Sequence, residues 1–284
     1  MKKILSTHQA PGRHWVGDGF PVHGLFGYNE GAETRTPFLM LDYAAPFNFE
    51  PTTQRRGVGS HPHRGFETVT IVYDGEVEHR DSTGGGGVIG TGDVQWMTAG
   101  DGIIHSEFHS EEYARTGGPF EMVQLWVNLP ASAKTTAAHY QAITAADIPT
   151  APIEGGSVRV IAGTFGDTTG PATTYTPMNV LDVRLAAGST GNFPQPEGWT
   201  TMVVVLAGTV MVNGSILRAT EYAALSRDGA GLQIEANGDA KLLILAGEPI
   251  DEPIVGYGPF VMNSQAEIIQ SIHDFNAGKY GQLR

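Results

Sequence analysis

The stretch His61-Pro62-His63-Arg64-Gly65-Phe66-Glu67 and its counterpart Gly102-Ile103-Ile104-His105-Ser106-Glu107 decide how this chain is read. On an extended strand successive side chains point to opposite faces, so a His-x-His pair turns both imidazoles the same way. The His105-x-Glu107 pair does the same on a second strand. Two such strands facing each other across a barrel gather three imidazole nitrogens and one carboxylate around a single point. An all-β fold and a metal site are expected together.

Composition agrees. With 284 residues the chain has room for two domains, each burying its own core. Charged residues make up 17% and glycine totals 38, a profile of turn-rich β structure rather than helical bundles. A net charge of −13 without a Lys/Arg cluster repels phosphate backbones, so no direct nucleic-acid partner is expected. Cysteine is absent, which rules out disulfides and thiolate ligands and leaves nitrogen and oxygen to hold any metal. The opening Met1 to His8 carries no apolar run of signal-peptide length, and runs such as Met202 to Ala207 fall far short of a membrane span. A cytoplasmic location with no membrane partner is the expectation. A Gly-x-Ser-x-Gly elbow is missing, and Gly84–Gly87 lacks the Lys-Ser/Thr of a phosphate loop, so hydrolase and nucleotide chemistry drop out.

Strand-like segments recur between turn residues. They include Thr68–Tyr73 before Asp74-Gly75, which reads as a hairpin dipeptide, then Val94–Met97 and Glu121–Val127. From about Ala145 to Gly156 the chain turns to Pro, Ala, Thr and Gly, and the join between halves is placed there, giving domains 1–145 and 146–284. Beyond it lie Val180–Leu185, Met202–Leu206, Leu232–Glu235 and Leu242–Leu245. A helix is signposted near the end. Ser264-x-x-Glu267 is a capping box, Ile268, Ile269, Ile272 and Phe275 recur at helical spacing, and Gly278 sits where a C-terminal cap belongs.

The halves also repeat. The cupin barrel pattern runs Gly, five residues, His-x-His, three or four residues, Glu, six residues, Gly. In the second half Gly188, Pro194-Gln195-Pro196, Thr201 and Gly208 keep that frame, with residues that cannot ligate at every ligand position. In the first half His61, His63 and Glu67 fit the ligand part, although Gly75 falls one residue late and no Gly stands ahead at the expected distance. The expectation is a bicupin: two antiparallel β-barrel (jelly-roll) domains, one metallated and one blank, with a C-terminal helix.

His61-Pro-His-Arg-Gly-Phe-Glu-Thr-Val-Thr70, Gly92-Asp-Val-Gln-Trp-Met-Thr-Ala-Gly100, Gly102-Ile-Ile-His-Ser-Glu107 and Leu125-Trp-Val-Asn-Leu129 closely resemble the pirin family. So do Gly247-Glu-Pro249 and Gly258-Pro-Phe-Val-Met-Asn263, while Gly17-Asp-Gly-Phe-Pro21 and Leu39-Met-Leu-Asp-Tyr43 look like bacterial-type members. The resemblance implies one Fe(II) in the N-terminal barrel. It also implies either quercetin 2,3-dioxygenase activity, with a flavonol such as quercetin and O2 as substrates, or a regulator working through a protein partner.

Three imidazoles and a carboxylate suit Fe(II) and several other divalent transition metals, so iron rests on the resemblance. His61, His63 and His105 are the nitrogen ligands; the alternative, plain histidines satisfied by hydrogen bonds, weakens once two paired strands share a cupin frame. For the carboxylate, the general cupin pattern nominates Glu67 and the pirin pattern Glu107, which is preferred and also serves as the catalytic base. His109 is taken as a loop histidine, and His14, His23, His79 and His139 as structural. Arg64 reads either as a group holding a ligand carboxylate or as an exposed solubilising residue. Trp96, Met97, Phe108, Met122 and Trp126 are left as core rather than pocket.

Overall fold

The computed structural model describes residues 1–283. It divides into two compact units, one made of residues 12–33, 38–145 and 251–284, the other of 1–11, 34–37 and 146–250. In each, a seven-stranded and a four-stranded antiparallel sheet make the barrel.

In the unit carrying the histidines, the larger sheet runs His139–Ile143, Val94–Thr98, Phe66–Asp74, Gly118–Asn128, Phe38–Phe49, Phe20–Phe26, His14–Val16. The smaller runs Gly57–His63, Ile103–His109, Val77–Asp81, Gly86–Ile89. The other unit repeats this order except that one edge strand precedes its barrel in sequence, where His139–Ile143 follows. Its larger sheet is Ile4–Gln9, Glu221–Leu225, Thr200–Ala207, Ala240–Gly247, Met178–Leu185, Gly156–Ala162, Thr150–Ile153, and its smaller one Thr190–Asn192, Gln233–Ala236, Thr209–Val212, Ser215–Arg218. The repeat seen as glycine spacing is thus a repeat of topology.

The domain expectation changes at both ends. Ile4–Gln9 pairs with Glu221–Leu225 and so belongs to the unit built mainly from the second half, with Ile4 packed against its core. The final helix, Gln265–Asn276, belongs to the histidine-bearing unit, where Ile268 and Ile272 pack with Phe260, Met262 and Tyr280. These pairings join segments some two hundred positions apart, and no window of local periodicity contains them.

The helix itself forms as its sequence dictates. The Ser264 hydroxyl accepts from the Glu267 N–H at 3.3 Å and donates to the Glu267 carboxylate at 2.7 Å. Gly278, at φ +74°, takes the left-handed conformation that ends it. Its buried face is rotated from the expected one: Ile268 is buried with Ser271 and Asp274, whereas Ile269 is 61% exposed. Asp74-Gly75 likewise makes no hairpin, because it carries the chain from Phe66–Asp74 in the large sheet to Val77–Asp81 in the small one.

Candidate metal centre

The Gly57–His63 and Ile103–His109 strands pair antiparallel with His105 directly opposite His61 and Ile103 opposite His63. That register brings the rings together: centroids stand 4.2 Å apart for His61–His105, 4.8 Å for His63–His105 and 4.9 Å for His61–His63. One ring nitrogen from each of the three lies within 4.8 Å of the other two. The register shifts between His105 and Glu107, one β-bulge in this pair, and the Glu107 carboxylate forms a second metal-type group with His105 and His79, so that His105 belongs to both groups.

The donor set tests whether a metal fits. His63 Nδ1 and His105 Nε2 are buried and have no hydrogen-bond partner, an arrangement costly unless a ligand completes it. Burial, reinforced by the neighbouring imidazoles, holds the pKa of both rings well below the ordinary histidine value, which keeps them neutral with a lone pair to give. His61 has Nδ1 at 2.8 Å from the Gly59 carbonyl, so Nδ1–H donates there and Nε2 remains for coordination. Three convergent imidazoles therefore fit a divalent transition metal. Glu107 adds a carboxylate whose Oε1 accepts from Gln95 Nε2 at 3.1 Å and from the Thr70 hydroxyl at 3.3 Å, leaving Oε2 for the ligand sphere or for a proton.

A cavity of about 330 Å³ opens onto this group. His61, His63 and Glu107 line it beside Val16, Phe20, Val22, Met40, Val58, Met122 and Trp126, with Asp42 and Gln124 as further polar groups. Met122 and Trp126, expected to be core, thus face the pocket, while Trp96 and Met97 are fully buried elsewhere. Burial pushes Asp42 up to about 6.

Several other readings shift. Glu67 is outside both metal-type groups; it is buried in the large sheet, accepts from the Thr98 hydroxyl at 2.7 Å, and is pushed up to about 7 by burial. His109 lies on a strand, buried among Phe20, Phe49 and Phe120, with Nε2 at 2.9 Å from the Gly19 carbonyl. Arg64 is neither exposed nor near a ligand carboxylate: it pairs with Asp101 and Asp274 and bonds Tyr280. His79, read as structural, lies with its Nδ1 at 3.3 Å from His105 Nδ1. The signal for it was parity, since His79 and Asp81 share a strand face just as His61 and His63 do.

In the other unit, Phe193, Leu181, Val203, Val205, Leu242 and Ile244 belong to one buried apolar cluster. Pro194 and Pro196 flank Gln195, which accepts from Asn179 Nδ2 at 2.8 Å, and Thr201 is fully buried. Among the described residues, both metal-type groups lie in the first unit.

Two barrels of closely similar topology, one with a histidine-lined pocket and one with a large buried apolar cluster, define a bicupin. The chain belongs to the pirin family: the pirin model matches residues 19–127, and the model of the pirin C-terminal cupin domain matches residues 180–281. A Pseudomonas aeruginosa protein named "Putative quercetin 2,3-dioxygenase PA2418" is 57% identical over 282 residues, 99% of each chain. The crystal structure of quercetin 2,3-dioxygenase from Acinetobacter baumannii matches with a TM-score of 0.97 at 57% identity, covering 99% of each chain. The bacterial pirin YhhW of Escherichia coli, in complex with nickel(II), matches at a TM-score of 0.67 over 86% of this chain and 99% of that one; at 19% identity that likeness is one of fold.

Proposed function

We propose that this protein is a dioxygenase of quercetin 2,3-dioxygenase type, with a divalent metal, Fe(II), held by His61, His63, His105 and Glu107. The observation that carries the reading is the cavity of about 330 Å³, apolar on its walls, with two of the three convergent imidazoles and the Glu107 carboxylate on its lining. A pocket of that size suits a flat multi-ring substrate, and its few polar groups suit orienting one. The strong likeness to quercetin 2,3-dioxygenases in sequence and structure supports the substrate class.

When bound, the metal supplies a coordination position for the flavonol oxygen and a path for electrons to O2. The protein's own residues do the rest. His61, His63 and His105 fix the open face toward the cavity. Glu107 takes the proton of the flavonol 3-hydroxyl at Oε2, while Gln95 and Thr70 steady Oε1. Met122 and Trp126 line the cavity with apolar surface, excluding water and flanking the rings.

The test is oxygen uptake with quercetin by protein stripped of metal and reloaded anaerobically with Fe(II), run beside Glu107→Ala. Uptake that needs iron and collapses in the variant establishes the activity. Iron-loaded, folded protein that consumes no oxygen overturns it and moves the weight to a regulator acting through a protein partner.

A further inference from the structure

The Gly84–Gly87 run and the buried His79 have no part in the reaction as described, yet they adjoin each other and the metal centre. Asp81 ends the strand Val77–Asp81, and the chain then folds back over its carboxylate. Oδ1 accepts from the Thr83 N–H at 2.8 Å, the Thr83 hydroxyl at 2.6 Å and the Gly85 N–H at 3.0 Å. Burial works against the charge, but the bonds from His79, Thr83 and Gly85 outweigh it and hold the carboxyl down to about 2. The glycines make this wrap feasible: a Cβ on Gly85 would stand 2.6 Å from Asp81 Oδ2, and one on Gly86 2.3 Å from the His79 carbonyl oxygen.

The second oxygen of this carboxylate, Oδ2, stands 3.2 Å from His79 Nε2. A carboxylate only accepts, so that nitrogen carries the proton. With that single proton on the ring, His79 Nδ1 is an acceptor, and His105 Nδ1, 3.3 Å away, donates to it. One N–H on His105 Nδ1 leaves Nε2 as a lone pair, and Nε2 is the buried atom without a partner. Strand register builds the chain of bonds, with Asp81 opposite His105 and His79 opposite Glu107. Tyr140 stacks on the His79 ring with centroids 5.0 Å apart and planes 19° from parallel, which fixes the ring's tilt.

We infer that Asp81 and His79 are positioning residues that lock His105 in its Nδ1–H tautomer and aim its Nε2 lone pair at the point where His61 and His63 converge. This is the opposite of the tautomer an isolated histidine favours. The tautomer claim stands on the hydrogen-bond geometry with one proton on each ring; its consequence for metal binding rests on the proposed function.

The two can be separated. The full chain, metal-free and labelled with nitrogen-15 at histidine, reports each ring's protonated nitrogen through long-range nitrogen–proton correlations. His105 is expected with its proton on Nδ1. Asp81→Asn reverses the chain: three donors converge on Oδ1, so the amide oxygen takes that place and the NH2 faces His79 Nε2. That nitrogen must then accept, His79 carries its proton on Nδ1, and His105 is driven to Nε2–H. His79→Phe keeps the ring stacked on Tyr140 but removes the acceptor, freeing His105 to take the Nε2–H form. In both variants anaerobic Fe(II) titration by calorimetry is expected to show affinity lower by about 10- to 100-fold. Nε2–H on His105 in the parent protein, or an unchanged tautomer in both folded variants, overturns the inference. Tautomers that follow the prediction in a parent protein that binds no Fe(II) would uphold the bonded chain and overturn the metal reading instead.

Discussion

Arg64 Nη1 donates to Asp274 Oδ2 across 2.9 Å, tying the residue that follows the His-x-His pair to the C-terminal helix, two hundred positions away. Both side chains are largely buried, and Asp101, in the turn before the His105 strand, takes the other arm of the guanidinium. The loop leaving His63 and the loop entering His105 are therefore anchored through a single arginine.

Lys279 and Arg64 together hold the Asp274 carboxyl far below the usual carboxylate range. A depressed carboxyl contributes stability above its unfolded value, about 4, and that contribution is lost as pH falls below it. Asp274→Asn is expected to lower the melting temperature by several degrees at pH 7, with the difference from the parent shrinking toward pH 3. Thermal melts followed by circular dichroism check this; a constant difference across that range would separate the ion pair from the effect.

Glu67 gives the opposite sign. Its folded value, about 7, lies above the unfolded one, so it subtracts stability as pH rises from about 4.5 to about 7 and by a constant amount beyond. Glu67→Gln, a mimic of the protonated form that still accepts from Thr98, should gain on the order of 2–3 kcal/mol over the parent at pH 8 and little at pH 4.5. Denaturant titrations at the two pH values measure it. Metal content should be unchanged, which also decides between Glu67 and Glu107 as the carboxylate ligand.

Met122→Trp adds bulk to a wall of the cavity while leaving all three histidines in place. Flavonol binding, read by fluorescence quenching, should weaken at least tenfold, with Fe(II) affinity within about twofold of the parent. Loss of metal together with substrate would mean that the wall supports the centre rather than the ligand.

Leu181→Ala removes a fully buried side chain from the apolar cluster of the second unit. It should cost about 2–5 kcal/mol of stability and leave the metal stoichiometry untouched. Calorimetric unfolding beside metal analysis provides the check, and a change in stoichiometry would show that the second barrel takes part in binding.

Much of this was legible from local pattern. The strands around Thr68–Tyr73, Val180–Leu185 and Met202–Leu206 are where alternation and turn residues put them, and Ser264, Glu267 and Gly278 mark the ends of the final helix. The histidine trio was legible because His61-x-His63 shares a strand face, a property of two residues spaced one apart. Its hidden partners were not. His79 looked isolated because its neighbours are His105 across a register and Asp81 inside a glycine loop. Glu67 looked like a ligand because parity was counted through Arg64-Gly65, where the chain in fact leaves one sheet for the other.

By itself, then, the sequence determined the all-β class, the tandem cupin repeat, the three imidazoles and the emptiness of Pro194, Pro196 and Thr201 as ligand positions. Each follows from side-chain chemistry at fixed short spacing. Tertiary structure alone decided that Ile4–Gln9 and the final helix change units, that Glu107 lies opposite His79 and groups with it, and that Arg64 is an anchor. Those outcomes depend on which strands pair and in what register. Register is set by the packing of whole sheets, and a one-residue shift sends every side chain of a strand to the other face.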